Sequence, residues 1–226
     1  MRQLTLRIVV LSFVALLGGC SLDTSTSDGT GSKPAEDSTP SQTVSTQVFT
    51  AQSLNFLYST NDSSLKGTTV TKYTSNSTSG AFTFTVTVSK ASGNAAGGFG
   101  ILFQRQDDAD FWLADIDTQG SYTIMKLVAG TWSYVTNNSG IYWVPNGAIK
   151  TGLGVTNTLE LTFDGTSGYS FSVNGTVLQA FTDTGMGTVY TSGGLGLDVG
   201  IVSTENFPST PVSVTFTPTL PSGMSW

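Results

Sequence analysis

Residues 82–89 read Phe82-Thr83-Phe84-Thr85-Val86-Thr87-Val88-Ser89. Apolar and hydroxyl-bearing side chains alternate without a break. Successive side chains of an extended chain point to opposite faces, so this run makes one apolar face and one polar face. A helix would scatter the same side chains around its axis. The β-branched and aromatic content is also that of a strand.

The pattern recurs outward from this stretch. Phe99, Ile101 and Phe103 repeat it, and Leu159, Leu161 and Phe163 alternate with Thr158, Glu160 and Thr162. Tyr169, Phe171 and Val173 follow, then Leu195, Leu197, Val199 and Ile201, then Val212, Val214 and Phe216. Asn174-Gly175 between two such runs is a strong hairpin signal, because a type I′ turn needs two residues with positive φ. About eleven strands at roughly ten-residue spacing predict an all-β sandwich or barrel. Two antiparallel sheets packed face to face would bury the apolar sides and leave Thr and Ser outward.

Composition agrees and excludes a good deal. The 226 residues include 29 Ser and 36 Thr, only 11 % charged residues, no histidine and one cysteine. Ser-His-Asp and Cys-His nucleophiles, imidazole metal sites and internal disulfides are therefore excluded. A formal charge of −6 argues against nucleic acid as a partner, since that affinity rests on Lys and Arg.

The N-terminal region reads as an address. Arg2 and Arg7 precede an apolar run over residues 8–17, too short to cross a bilayer as a helix but suited to a secretory signal. Leu17-Gly18-Gly19-Cys20 resembles a bacterial lipobox. The resemblance implies a signal peptide over 1–19 and lipidation of Cys20, with palmitate among the acyl chains of a lipoprotein. Ser21 after the cysteine permits passage to the outer membrane or cell surface. Residues 20–47 are rich in Ser and Thr and almost free of apolar side chains, which predicts a disordered tether of about 30 Å typical span. Residues 48–226 then form one domain, long enough for a substantial core.

From Gly98-Phe99-Gly100-Ile101-Leu102-Phe103-Gln104-Arg105 the order of signals becomes more specific. The acidic turn Asp107-Asp108-Ala109-Asp110 comes next, then Phe111-Trp112-Leu113-Ala114-Asp115-Ile116, Gly130-Thr131-Trp132, Val173-Asn174-Gly175 and Gly193-Gly194-Leu195-Gly196-Leu197. This succession resembles the concanavalin A-like lectin/glucanase superfamily, nearest to its laminin-G-like and 3-keto-disaccharide-hydrolase-type jelly rolls. The resemblance implies a jelly-roll sandwich whose concave face presents a ligand site.

Three chemistries are weighed on these residues. Glucanases of the superfamily carry Glu-x-Asp-x-(x)-Glu on one strand. Here Asp115-Ile116-Asp117-Thr118-Gln119-Gly120 stands in its place and the last acid is missing. Asp115 and Asp117 share a face but read as solvated acids leading into a turn, and Asp198 reads as facing solvent. Asp107, Asp108 and Asp110 form an oxygen-rich loop that suits calcium, a cation the resemblance also implies; no other cofactor is expected. For a glycan, Trp132 and Tyr134 lie on one strand face and Tyr142-Trp143 in a loop, with Asp115 a polar partner, while Trp112 reads as core. The sequence thus predicts a lipid-anchored, extracytoplasmic, non-catalytic carbohydrate-binding module for an envelope polysaccharide. The alternatives are an adhesion or scaffold module binding a protein, and a glycoside-acting hydrolase.

Overall fold

The computed structural model describes residues 48–50, 53–58, 68–136, 140–205 and 211–226. The expected signal peptide, Cys20 and the tether lie outside the described residues.

The described chain is all β, in the order β1 (Val48–Thr50), β2 (Ser53–Tyr58), β3 (Thr68–Ser77), β4 (Phe82–Ser92), β5 (Phe99–Arg105), β6 (Phe111–Ile116) and β7 (Ser121–Val128). There follow β8 (Thr131–Tyr134), β9 (Val144–Pro145), β10 (Thr156–Phe163), β11 (Gly168–Val173), β12 (Thr176–Thr182), β13 (Gly194–Ile201) and β14 (Val212–Thr219). The additional strands beyond the expected number include short ones, β1 with three residues and β9 with two, which periodicity cannot register.

Two antiparallel sheets form a jelly-roll sandwich. The back sheet runs β1-β2-β14-β4-β10-β11-β12; the front sheet runs β3-β13-β5-β6-β7-β8, with β9 also paired to β7. Strands β4 and β10 alternate buried and exposed positions as their sequence dictates. Their apolar faces, with Phe84, Val86, Leu159 and Leu161, and Phe171 of β11 meet Phe99, Ile101, Phe103, Trp112 and Ile124 of the front sheet in one core. Each fully buried side chain of this kind contributes ~1.5–3 kcal/mol over exposure. Trp112 is core, as expected, and stacks on Phe103 at 5.6 Å between ring centroids. The hairpin turn between β11 and β12 is as expected, with φ of 51° at Asn174 and 81° at Gly175.

The middle of the front sheet departs from simple alternation. Strands β5, β6 and β13 are buried on both faces over nearly their whole length. Their outer face carries no row of Thr and Ser. It carries glycine and apolar residues: Leu102, Phe111, Leu113 and Leu127 form a second buried cluster there, against Met125 and Trp132.

Candidate functional site

Register fixes which residues share the outer face of the front sheet. Thr71, Asp198, Gly100, Asp115 and Thr123 stand side by side across β3, β13, β5, β6 and β7. The adjacent row runs Tyr73, Gly196, Leu102, Leu113, Met125 and Tyr134. Acids therefore sit in the middle of the sheet and tyrosines at its edges.

Gly100 is what brings the acids together. Asp115 and Asp198 lie on strands that do not pair, with β5 between them. Adjacent strands are ~4.8 Å apart, so the two carboxyls meet only if nothing projects from the strand they reach across. A methyl group on Gly100 would stand 2.7 Å from both Cα and Oδ1 of Asp115. One on Gly98 would stand 3.2 Å from Asp115 Oδ2 and 2.7 Å from Trp143 Cη2. The carboxylate of Asp115 thus rests on a glycine floor, with the edge of the Trp143 indole beside it.

Both acids are buried, Asp115 to 3 % exposure and Asp198 to 0 %. This corrects the expectation that they face solvent: the glycines that frame them leave room for the carboxyls to fold down onto the sheet. Among the described residues no donor reaches Asp115 Oδ1 or either oxygen of Asp198. The hydrogen bond open to them is with each other, and it needs a proton on one. Burial pushes both carboxyls up, Asp198 to about 7 and Asp115 well above the usual carboxylate range, the Asp198 charge adding to the burial of Asp115.

Asp117 is not part of this pair. Its Oδ1 accepts the backbone N–H groups of Gln119 and Ser121 at 2.9 and 2.8 Å and closes the turn after β6. The Asp115–Asp117 dyad weighed from sequence is replaced by Asp115–Asp198. The signal for Asp198 was an acid inside Gly194-Leu195-Gly196-Leu197-Asp198-Val199-Gly200, where small neighbours leave space for a buried carboxyl.

The aromatic residues divide. Tyr134 and Tyr142 pack together with ring centroids 4.1 Å apart, and Tyr142 is 41 % exposed. Trp143 is half-buried over Gly98. Trp132 instead packs edge-on against Phe111 at 5.8 Å within the second apolar cluster, so its ring is engaged in packing. Tyr73, exposed at the opposite edge, was not singled out from sequence; the Arg105 guanidinium lies 3.7 Å from its ring centroid.

The loop proposed for calcium does not assemble a site. Asp107 Oδ1 accepts from the Ala109 N–H, Asp108 pairs with Arg105 at 2.6 Å, and Asp110 Oδ1 accepts from Tyr190 Oη at 2.9 Å and the Ala129 N–H. The three carboxylates turn to different partners, and among the described residues no three acidic side chains converge as metal ligands. Asp is here for its turn-forming geometry.

No family model matches the chain, and no curated protein matches it. Among solved structures it is similar to a Crh5 transglycosylase in complex with NAG, with a TM-score of 0.49 and 15 % identity over 78 % of this chain and 75 % of that one. A crystal structure of a putative glycosyl hydrolase from Parabacteroides distasonis gives 0.48 and 10 % identity over 76 % and 86 %. The Caenorhabditis elegans galectin LEC-6 gives 0.43 and 14 % identity over 74 % and 96 %.

Proposed function

We propose that the outer face of the front sheet binds a glycan without cleaving it, in a protein anchored to the bacterial envelope through lipid on Cys20. The observation that carries the glycan reading is the Tyr134–Tyr142 stack and Trp143 standing on the same face as the Asp115–Asp198 pair. Aromatic faces receive the apolar side of a sugar ring, while a few placed polar groups orient its hydroxyls. Binding without cleavage is favoured because the strand motif that supplies a glucanase with both carboxylates is incomplete here, with Gln119 and Gly120 where its last acid would stand.

A glycan array probed with the full chain in detergent tests this reading. Trp143→Ala and Tyr142→Ala are each expected to weaken the strongest signal by roughly tenfold, the loss typical of an aromatic anchor, with the melting temperature little changed. A wild-type chain that binds no glycan on the array overturns the reading and favours the protein-binding alternative. The anchor has its own check. Cys20→Ser is expected to move the protein from the membrane fraction to the soluble fraction, and unchanged sedimentation with membranes refutes lipidation there.

A further inference from the structure

Three buried carboxylate oxygens on the front sheet, Asp115 Oδ1 and both oxygens of Asp198, have no donor among the described residues. Buried polar groups are ordinarily satisfied, and a pair of acids without a cation is the costliest arrangement to leave so. Among the described residues no counter-charge stands beside the pair. β3 brings Thr71, β5 brings Gly100 and β7 brings Thr123 to the pair. Thr123 Oγ1 is already hydrogen-bonded to Thr136 Oγ1 at 3.1 Å.

The nearby charged groups are engaged elsewhere. Lys126 of β7 points to the opposite face and pairs with Asp183. Lys90 Nζ donates to the carbonyls of Asn94 and Gly97, and Glu205 accepts from the Asn94 N–H. Arg105 is held by Asp108 and Tyr73. Lys72 lies opposite Leu197, on the other face of β3. Asp117 is bound to its own turn.

We propose that Asp115 and Asp198 receive a single ammonium group of the bound glycan, so that the ligand is an amino sugar with a free amine. This rests on the glycan reading of the face and names its substrate class. An ammonium carries three N–H donors and no acceptor, matching three acceptor oxygens that lack donors. The ammonium takes the place of the proton the two carboxyls share, and that proton leaves to solvent. Trp143, the ring against Gly98, must shift to admit the ligand.

The test is calorimetric titration of the full chain at pH 6 with a glucosamine tetramer and, separately, with its N-acetylated counterpart. The amine ligand is expected to bind at least roughly tenfold tighter, as charge-assisted hydrogen bonds provide. Repeating the titration in buffers of different ionisation enthalpy should show proton release. Asp198→Asn should erase the preference while the melting curve shows a folded protein; Asp115→Asn provides the second variant if that one does not fold. Equal affinity for the two tetramers, or a preference that survives Asp198→Asn, overturns the amine assignment and leaves glycan binding standing. Binding of neither tetramer overturns it as well, and the array then decides separately whether the face binds glycans. Equal competition by a tri-lysine peptide overturns it in favour of a protein ligand.

Discussion

Replacing Lys126 by Met is expected to cost about 3–5 kcal/mol of folding stability, the range for stripping one partner from a buried ion pair. Lys126 and Asp183 are both fully buried, with Nζ 2.5 Å from Oδ1. The ammonium also donates to the Thr188 carbonyl, and it lies 5.1 Å from the Trp112 ring and 4.4 Å from the Tyr190 ring. Two of its three N–H donors are used in this way, and two aromatic rings flank the charge. Met fills the volume but leaves Asp183 with the Tyr190 N–H as its remaining partner, at 2.9 Å. The carboxylate then faces the full cost of burial. A second change, Asp183→Leu, should recover much of the loss, since two apolar side chains need no pairing. Urea unfolding of the two variants reads this directly. A single variant that loses under about 1 kcal/mol would show the pair to be no more than a surface contact in its energetics.

Lowering the pH towards 5 should stabilise this protein. An unfolded Asp titrates near 3.8, whereas burial on folding raises Asp198 to about 7 and pushes Asp115 in the same direction. Between those values the folded chain holds protons that the unfolded chain has released, so stability falls as pH rises. Buried Asp117 shifts in the same direction. Lys90, lowered from 10.5 to about 8 by burial, acts with the opposite sign only above that pH. From pH 5 to 7.5 the melting temperature should therefore drop, with a slope on the order of 1 kcal/mol per pH unit for each proton held. Asp198→Asn removes one titrating group and keeps the shape, so the curve should flatten. A wild-type melting temperature that is level or rises across the window refutes the shared proton.

The sandwich was legible because its signal is carried by side chains. Phe82 to Val88 and Leu159 to Phe163 alternate, and each lies in a strand with one face in the core. The site was less legible because its decisive element is an absence of side chain. Gly98 and Gly100 contribute nothing to a periodicity count, yet they clear the floor on which the Asp115 carboxyl lies. Without that floor in view, an acid near a strand end such as Asp115 looks solvated. The Asp107–Asp110 loop misleads for the opposite reason. Asp is frequent in turns because its carboxylate caps backbone N–H groups, and a run of it resembles a cation site until the partners are known. Trp132 and Tyr134 do share a face, but only register shows that Trp132 lies opposite Leu127, inside the apolar cluster.

The Asn174-Gly175 turn belongs to the back sheet, yet it reaches toward the segment that carries Trp143. Asn174 Nδ2 donates to the Ala148 carbonyl and to Asn157 Oδ1, both at 2.8 Å, and Asn157 in turn clasps Lys150 through both backbone groups. At the near end, the Asn146 N–H donates to the Gly120 carbonyl at 2.9 Å. The tryptophan is thus mounted on a bracket bolted to both layers of the sandwich. Anyone grafting this binding wall onto another jelly roll would have to carry over Asn157 and Asn174 with residues 140–155, because the transplanted stretch alone would arrive without its fixings.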